Sequence, residues 1–163
     1  VLYFGLMITK SGPKVIEYNC RFGDPECQTI MPLMDINFVN ILYKCAKGNL
    51  NGDEEVLSTT KVSGCVIASS KGYPGDYDVG FPINFKYDER DDIQIFHSGT
   101  SINKEGKIVT DGGRVLSVVC QGKDFDNAFN MAYKVLKDIS FNGIYYRRDI
   151  GHQVRKNNYS QDT

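Results

Sequence analysis

The chain has 163 residues, a formal net charge of −1, and 41% hydrophobic and 24% charged residues. That is a globular composition rather than a disordered one, and its charge balance gives no nonspecific pull toward nucleic acid or membrane. No apolar run is long enough to span a bilayer, and Val1-Leu2-Tyr3-Phe4 lacks the basic leader and small-residue cleavage site of a secretory signal. The length suits one ordinary domain or two small ones. Cys20, Cys27, Cys45, Cys65 and Cys120 are odd in number and irregular in spacing, which argues against a disulfide framework. Free, buried thiols in a reducing, cytoplasmic compartment are expected. With no paired cysteine spacing and only His97 and His152, a zinc site is not expected. The chain opens on Val1, inside an apolar strand-like run, which leads us to expect an excised fragment.

In chain order, residues 1–9 are apolar and aromatic, Lys10-Ser11-Gly12-Pro13-Lys14 reads as a turn, and residues 15–21 read as a second strand. Together they predict a β-hairpin. Asp24-Pro25-Glu26 reads as a helix start, with Asp at the cap and Pro at the first helical position. That helix runs toward Met34 and is kinked or ended by Pro32. Asn37 caps a second helix with Phe38, Ile41, Leu42 and Cys45 at helical spacing and Gly48 as its stop. The polar stretch 49–58 is the expected boundary between two units. Strands follow at 59–68, 93–98 and 107–110, and a loop with three glycines and a proline at 69–80. Residues 115–120 form a continuous apolar run, the sign of a buried strand. Asp124 then caps a helix with Phe125, Ala128, Phe129, Ala132, Val135, Leu136 and Ile139 on one face, a core face by its period. A short strand at 143–146 precedes a polar tail, expected to be disordered from residue 153 or 154.

Five segments are candidates for chemistry. On a strand, alternate residues share a face, so Val15, Glu17, Asn19 and Arg21 should point one way. That face offers a carboxylate, an amide oxygen and a guanidinium. Mg²⁺ takes oxygen ligands, often one or two from protein with phosphate oxygens completing the shell, and Arg suits a transferring phosphoryl group. The plainer reading is a half-exposed edge strand with a solvated polar face. The Lys71-Gly72-Tyr73-Pro74-Gly75 loop is either a tight surface turn or a backbone cradle with Lys71 aimed at an anion. Gly112-Gly113-Arg114 is either a turn with a solvated arginine or a place where backbone approaches a ligand and Arg114 reaches a ribose phosphate. His97 has no orienting acid or nucleophile elbow about it, so a hydrogen-bonded structural histidine is expected. Arg147-Arg148-Asp149 reads as a surface ion-pair run.

Taken whole, Glu17-Tyr18-Asn19-Cys20-Arg21-Phe22-Gly23-Asp24-Pro25-Glu26 resembles the metal-binding segment of the glycinamide ribonucleotide synthetases, or phosphoribosylamine–glycine ligases, ATP-grasp enzymes of purine biosynthesis. Ala68–Tyr77, Phe96–Thr100, Gly112–Leu116 and Tyr146–Gly151 resemble that family too, in its order, so the likeness covers about residues 1–152. The resemblance implies an α+β fold: the metal-binding edge of an ATP-grasp domain with a helical connection at 1–48, a linker at 49–58, and a small carboxy-terminal α+β domain at 59–152. It implies Glu17 and Asn19 as ligands of Mg²⁺ or Mn²⁺, Arg21 as the catalytic cation, and Lys71, Gly72, Gly113 and Arg114 as substrate-binding residues. ATP, glycine and 5-phosphoribosylamine are the implied substrates, joined through an acyl phosphate. Neither nucleic acid nor membrane is an expected partner. The family's amino-terminal domain and earlier grasp elements have no counterpart here, so an upstream part of the same parent chain is the expected partner, and the isolated chain is expected to be inactive. The alternatives are a truncated, non-catalytic interaction module, or another ATP-grasp carboxylate–amine ligase.

Overall fold

The computed structural model describes residues 1–34, 37–52 and 60–155. The expected linker is therefore described only to residue 52, and the expected tail only to residue 155. The chain opens on an antiparallel hairpin of β1 (Tyr3–Thr9) and β2 (Gly12–Asn19). Gly12, at φ 97°, turns the chain, a backbone conformation that glycine adopts without penalty. The second strand starts three residues before the expected Val15 and stops at Asn19, so Arg21 lies beyond it.

Two departures follow from proline chemistry. Helix α1 (Glu26–Ile30) stops early and passes into a 3-10 turn, Met31–Leu33, that contains Pro32, because proline cannot donate to an α-helical ladder. Pro25 is not the first helical residue but the cap position itself, at φ −100° and ψ 18°, and no side chain caps this helix. The expected Asp24 cap is thus corrected; its carboxylate accepts from Gln28 Nε2 at 2.9 Å instead. Helix α2 (Phe38–Lys47) follows the sequence closely. Asn37 accepts from the Asn40 N–H, and Gly48 closes the helix in the left-handed region.

The larger unit is an antiparallel sheet in the order β10-β3-β8-β5: Ile144–Tyr145, Val62–Ser70, Arg114–Gly122 and Ile93–His97. The central β8 is buried from Val115 to Cys120, on both faces, which is why its apolar run does not alternate. One face, with Val66, Ala68, Leu116 and Val118, packs on α3 (Phe125–Lys137). Asp124 caps that helix, accepting from the Asn127 N–H. Its buried residues are Ala128, Phe129, Ala132, Val135 and Leu136; of the expected stripe, Phe125 is half-exposed and Ile139 lies past the end of the helix, buried in the short strand that follows. Phe129 lies flat on Gly64, where an added Cβ would come within 3.0 Å of its ring. The segment of α1 and the 3-10 turn packs against β3 and β8, and Gln121 Nε2 donates to the Pro32 carbonyl at 3.2 Å. Two small ribbons complete the unit: β4 (Asn84–Phe85) with β9 (Ile139–Ser140), and β6 (Thr100–Ile102) with β7 (Ile108–Thr110). β4 and β6 are too short to leave a periodic signature.

Candidate functional site

The hairpin sets the first part of the site. Tyr3 pairs with Asn19 and Gly5 with Glu17, while Phe4 pairs with Tyr18 between them. Directly opposed residues share a face, so Glu17, Asn19 and Tyr3 stand together above Gly5, and Phe4 and Tyr18 meet edge to face on the other side, 5.1 Å between ring centroids. A β-bulge between Gly5 and Leu6 shifts the register, so Leu6 faces Val15. That one-residue slip takes Val15 to the Phe4–Tyr18 side, correcting its expected place beside Glu17. Arg21 does not continue the face either: it follows the strand, and its Nη1 donates to the Phe22 carbonyl at 2.9 Å.

Gly5 explains how Glu17 reaches over the hairpin. A Cβ there would sit 3.0 Å from Glu17 Cγ, so a larger residue would crowd the carboxylate stem. Tyr3 donates its hydroxyl to Glu26 Oε1 at 3.4 Å, and the Glu26 carboxylate, with Glu17 contributing, pushes the Tyr3 phenol above its ordinary pKa. Both carboxylates are therefore within electrostatic reach of this phenol. Among the described residues, no three His, Cys, Asp or Glu side chains are grouped to hold a metal. Glu17 and Asn19, two oxygen donors on one open face, fit a hard cation that draws its remaining ligands from phosphate and water.

The second part is assembled by backbone. Ser70 N–H donates to the Gly113 carbonyl at 2.8 Å, its hydroxyl donates to the Gly112 carbonyl at 2.9 Å, and Lys71 N–H donates to Gly143 at 2.8 Å. These bonds lock the Lys71-Gly72 loop beside Gly112-Gly113-Arg114. Gly72 has φ 100°. The room left by the glycine pair is filled by the chain itself: Gly112 stacks on Gly99, and Gly113 lies under the Tyr73 ring. Arg114 opens β8, exposed, and its Nη1 donates to Asp24 Oδ2 at 3.1 Å and to the Asp24 carbonyl at 3.4 Å. The Tyr73 hydroxyl, then Asp24, hold this guanidinium above its ordinary pKa. Arg114 thus meets the turn three residues after Arg21, and the loop, the glycine pair and that turn share one side of the molecule.

Two further segments make local side-chain contacts. His97 Nδ1 is 3.0 Å from Thr100 Oγ1, and Arg147 pairs through Nε and Nη2 with both oxygens of Asp149. All five cysteines are free, but Cys20 and Cys45 are exposed, correcting the expectation of burial for these two. Burial, with Asp24 and Glu26 adding to it, pushes the Cys65 thiol up to about 12, and burial pushes Cys120 up to about 12 as well. Tyr3, Gly5, Asp24 and Gln28 were not legible as site residues. Gly5 and Tyr3 join the site only through cross-strand register, and Asp24 and Gln28 only through the pairing of a turn with a distant strand.

Comparison with known proteins gives the family. The family described as "Phosphoribosylglycinamide synthetase, ATP-grasp (A) domain" matches residues 1–27, which include the Glu17–Asn19 face. The family described as "Phosphoribosylglycinamide synthetase, C domain" matches residues 63–153, more than half of the chain. The chain belongs to the phosphoribosylglycinamide synthetase family. It is 49% identical over 150 residues to the phosphoribosylamine–glycine ligase of Caldanaerobacter subterraneus, covering 92% of this chain and 35% of the relative. It is 43% identical over 155 residues to the human trifunctional purine biosynthetic protein adenosine-3, covering 94% of this chain and 15% of the relative. The crystal structure of the phosphoribosylamine–glycine ligase of Thermotoga maritima superposes with a TM-score of 0.78 at 34% identity, covering 91% of this chain and 36% of that one. The chain therefore spans about a third of the length of the single-activity ligases it matches. None of its described helices is long and apolar enough to cross a membrane.

Proposed function

We propose that this chain is the metal-edge and carboxy-terminal portion of an ATP-dependent ligase that joins glycine to 5-phosphoribosylamine through an acyl phosphate, giving glycinamide ribonucleotide. The observation that carries the reading is the Glu17–Asn19 pair on one open hairpin face, over a glycine that clears their path, inside a family match. Glu17 and Asn19 hold Mg²⁺ or Mn²⁺, which supplies charge neutralisation to the ATP phosphates. In such chemistry positioning and electrostatics do most of the work. Arg21 offsets the charge of the transferring phosphoryl group. Lys71 and Arg114 supply cations to the phosphoribosyl substrate from the other wall, with Gly72 and Gly113 shaping the loops that present them. We further infer a division at residues 49–58 between the grasp portion and the carboxy-terminal domain.

The test is ADP release that depends on both glycine and phosphoribosylamine, from the chain extended upstream to the length of its single-activity relatives. The extended enzyme should turn over and the 163-residue chain should not. Glu17→Gln in the extended enzyme should lower turnover ~100-fold or more, the scale of losing one preorganised electrostatic group. Full activity of that variant would overturn the metal assignment. A specific observation favours a second reading for the chain by itself: Phe4, Ile8, Ile16 and Tyr18 are exposed, and a contiguous apolar surface marks an interaction site. On that reading the chain is a partner-binding module without catalysis, and wild-type inactivity of the extended enzyme would favour it.

A further inference from the structure

We propose that Asp24 is a built-in competitor for Arg114: its carboxylate occupies the guanidinium until a substrate phosphate displaces it, so Asp24 sets how strongly this position favours a dianionic phosphate over weaker anions. The inference rests on the reading of Arg114 as a cation for the phosphoribosyl substrate.

The molecule contains its own standard for a settled Arg–Asp pair. Arg90 grips Asp92 through Nε at 2.9 Å and Nη2 at 2.6 Å, and Arg147 grips Asp149 in the same two-pronged way. Such fork-to-carboxylate pairing is the strong geometry. Arg114 does otherwise. It touches Asp24 through Nη1 alone, at 3.1 Å to the carboxylate and 3.4 Å to the carbonyl. Its remaining N–H groups meet no carboxylate or carbonyl among the described residues. Both partners are open to water, with side-chain exposures of 42% and 57%, and an exposed, one-pronged pair is weak and easily exchanged.

Asp24 is also arranged to survive the exchange. Its other oxygen accepts from Gln28 Nε2 at 2.9 Å, so a carboxylate released by Arg114 keeps one partner. Tyr73, seated on Gly113, lies beside the guanidinium and fixes where it sits. The exposed Lys71 begins the same loop and has no ion pair among the described residues. A phosphate monoester carries a charge of about −1.5 to −2 at neutral pH and three acceptor oxygens. It can engage the guanidinium N–H groups that neither Asp24 nor the Tyr73 hydroxyl fills, together with the lysine. A monoanion offers no such surplus over the resident carboxylate.

Ribose 5-phosphate is the probe, with ribose as the uncharged control. Its binding to the 163-residue chain is followed by NMR of the arginine Nε–H signals. Asp24→Asn should tighten ribose 5-phosphate roughly two- to fivefold, the range of one exposed ion pair, and leave ribose unchanged. Asp78→Asn, which removes equal charge from the neighbouring loop, should give a smaller gain. Arg114→Ala should weaken binding, and Asp24→Asn should add nothing to it. If Arg114→Ala binds as wild type does, the reading of Arg114 itself fails. If Arg114→Ala binds worse while Asp24→Asn gains nothing, or gains no more than Asp78→Asn, Arg114 keeps its role and the competitor does not exist.

Discussion

The hairpin and the four-stranded unit are made of similar strands with opposite fates. β1 reads Tyr-Phe-Gly-Leu-Met-Ile-Thr and β8 reads Arg-Val-Leu-Ser-Val-Val-Cys-Gln-Gly. β8 is buried along six successive residues, whereas Leu6, Met7 and Ile8 of β1 are exposed. The difference lies in the neighbours. β8 has β3 and β5 on its edges and α3 and the α1 segment against its faces; β1 pairs with β2 alone and reaches α1 through the Tyr3 hydroxyl. A two-stranded ribbon buries little by itself, and an apolar side chain contributes about 1.5–3 kcal/mol only when it is covered. The proposed chemistry separates in the same way. The open hairpin presents Glu17 and Asn19, and the buried unit supplies a rigid base for Arg114.

The sharpest way to break this comparison is to truncate one side chain in each region. Leu116→Ala, at a fully buried site, should cost about 2–5 kcal/mol in urea unfolding. Ile16→Ala, at an exposed site, should cost under about 0.5 kcal/mol. Equal losses would mean that the hairpin is covered in solution, and the contrast would fall.

Legibility in the sequence follows the same line. Helices α2 and α3 were readable to within a residue or two, because caps and periodic stripes are local signals. The Val115–Cys120 run announced its burial by lacking alternation. The motif at Glu17 and Asn19 was visible because alternation places both on one face. Arg21 was misplaced because nothing in the residues says where a strand stops, and Val15 because a bulge inserts a residue that no pattern announces. The contacts of Asp24 with Arg114 were beyond reach, since they join residues 90 apart in sequence.

The thiols sharpen the comparison chemically. Cys120 is buried beneath α3 and its pKa is pushed from 9.0 to about 12 by burial; Cys20, after the hairpin, is exposed. A native chain given iodoacetamide should label Cys20 and Cys45 quickly and Cys120 only on unfolding. The pH dependence has a definite sign. The folded state holds the proton more tightly than the unfolded state, so the stability is fully present below about pH 9 and is lost as pH rises through about 12. At pH 10 the loss from Cys120 is about 1 kcal/mol. Cys120→Ala should flatten the unfolding free energy against pH between 9 and 11; an unchanged slope would refute the burial argument.

The smallest effect compares two helix caps of the same chemistry. Asn37 accepts from the Asn40 N–H at 3.0 Å, and Asp124 accepts from the Asn127 N–H at 2.8 Å. Each satisfies one orphan donor at the head of its helix, and replacement by Ala should cost ~1 kcal/mol of helix stability in both. The surroundings decide where that cost appears. α3 packs five buried residues onto β3 and β8, so its formation is tied to the cooperative unfolding of the sheet. α2 has no buried residue, and a helix of this length is marginal in water without packing. Asp124→Ala should therefore move the main urea transition by about 1 kcal/mol. Asn37→Ala should leave that transition in place and instead speed amide hydrogen exchange at the start of α2, as a locally opening element does. If Asn37→Ala shifts the main transition as far as Asp124→Ala, α2 unfolds with the sheet, and the division into an open region and a closed core is drawn in the wrong place.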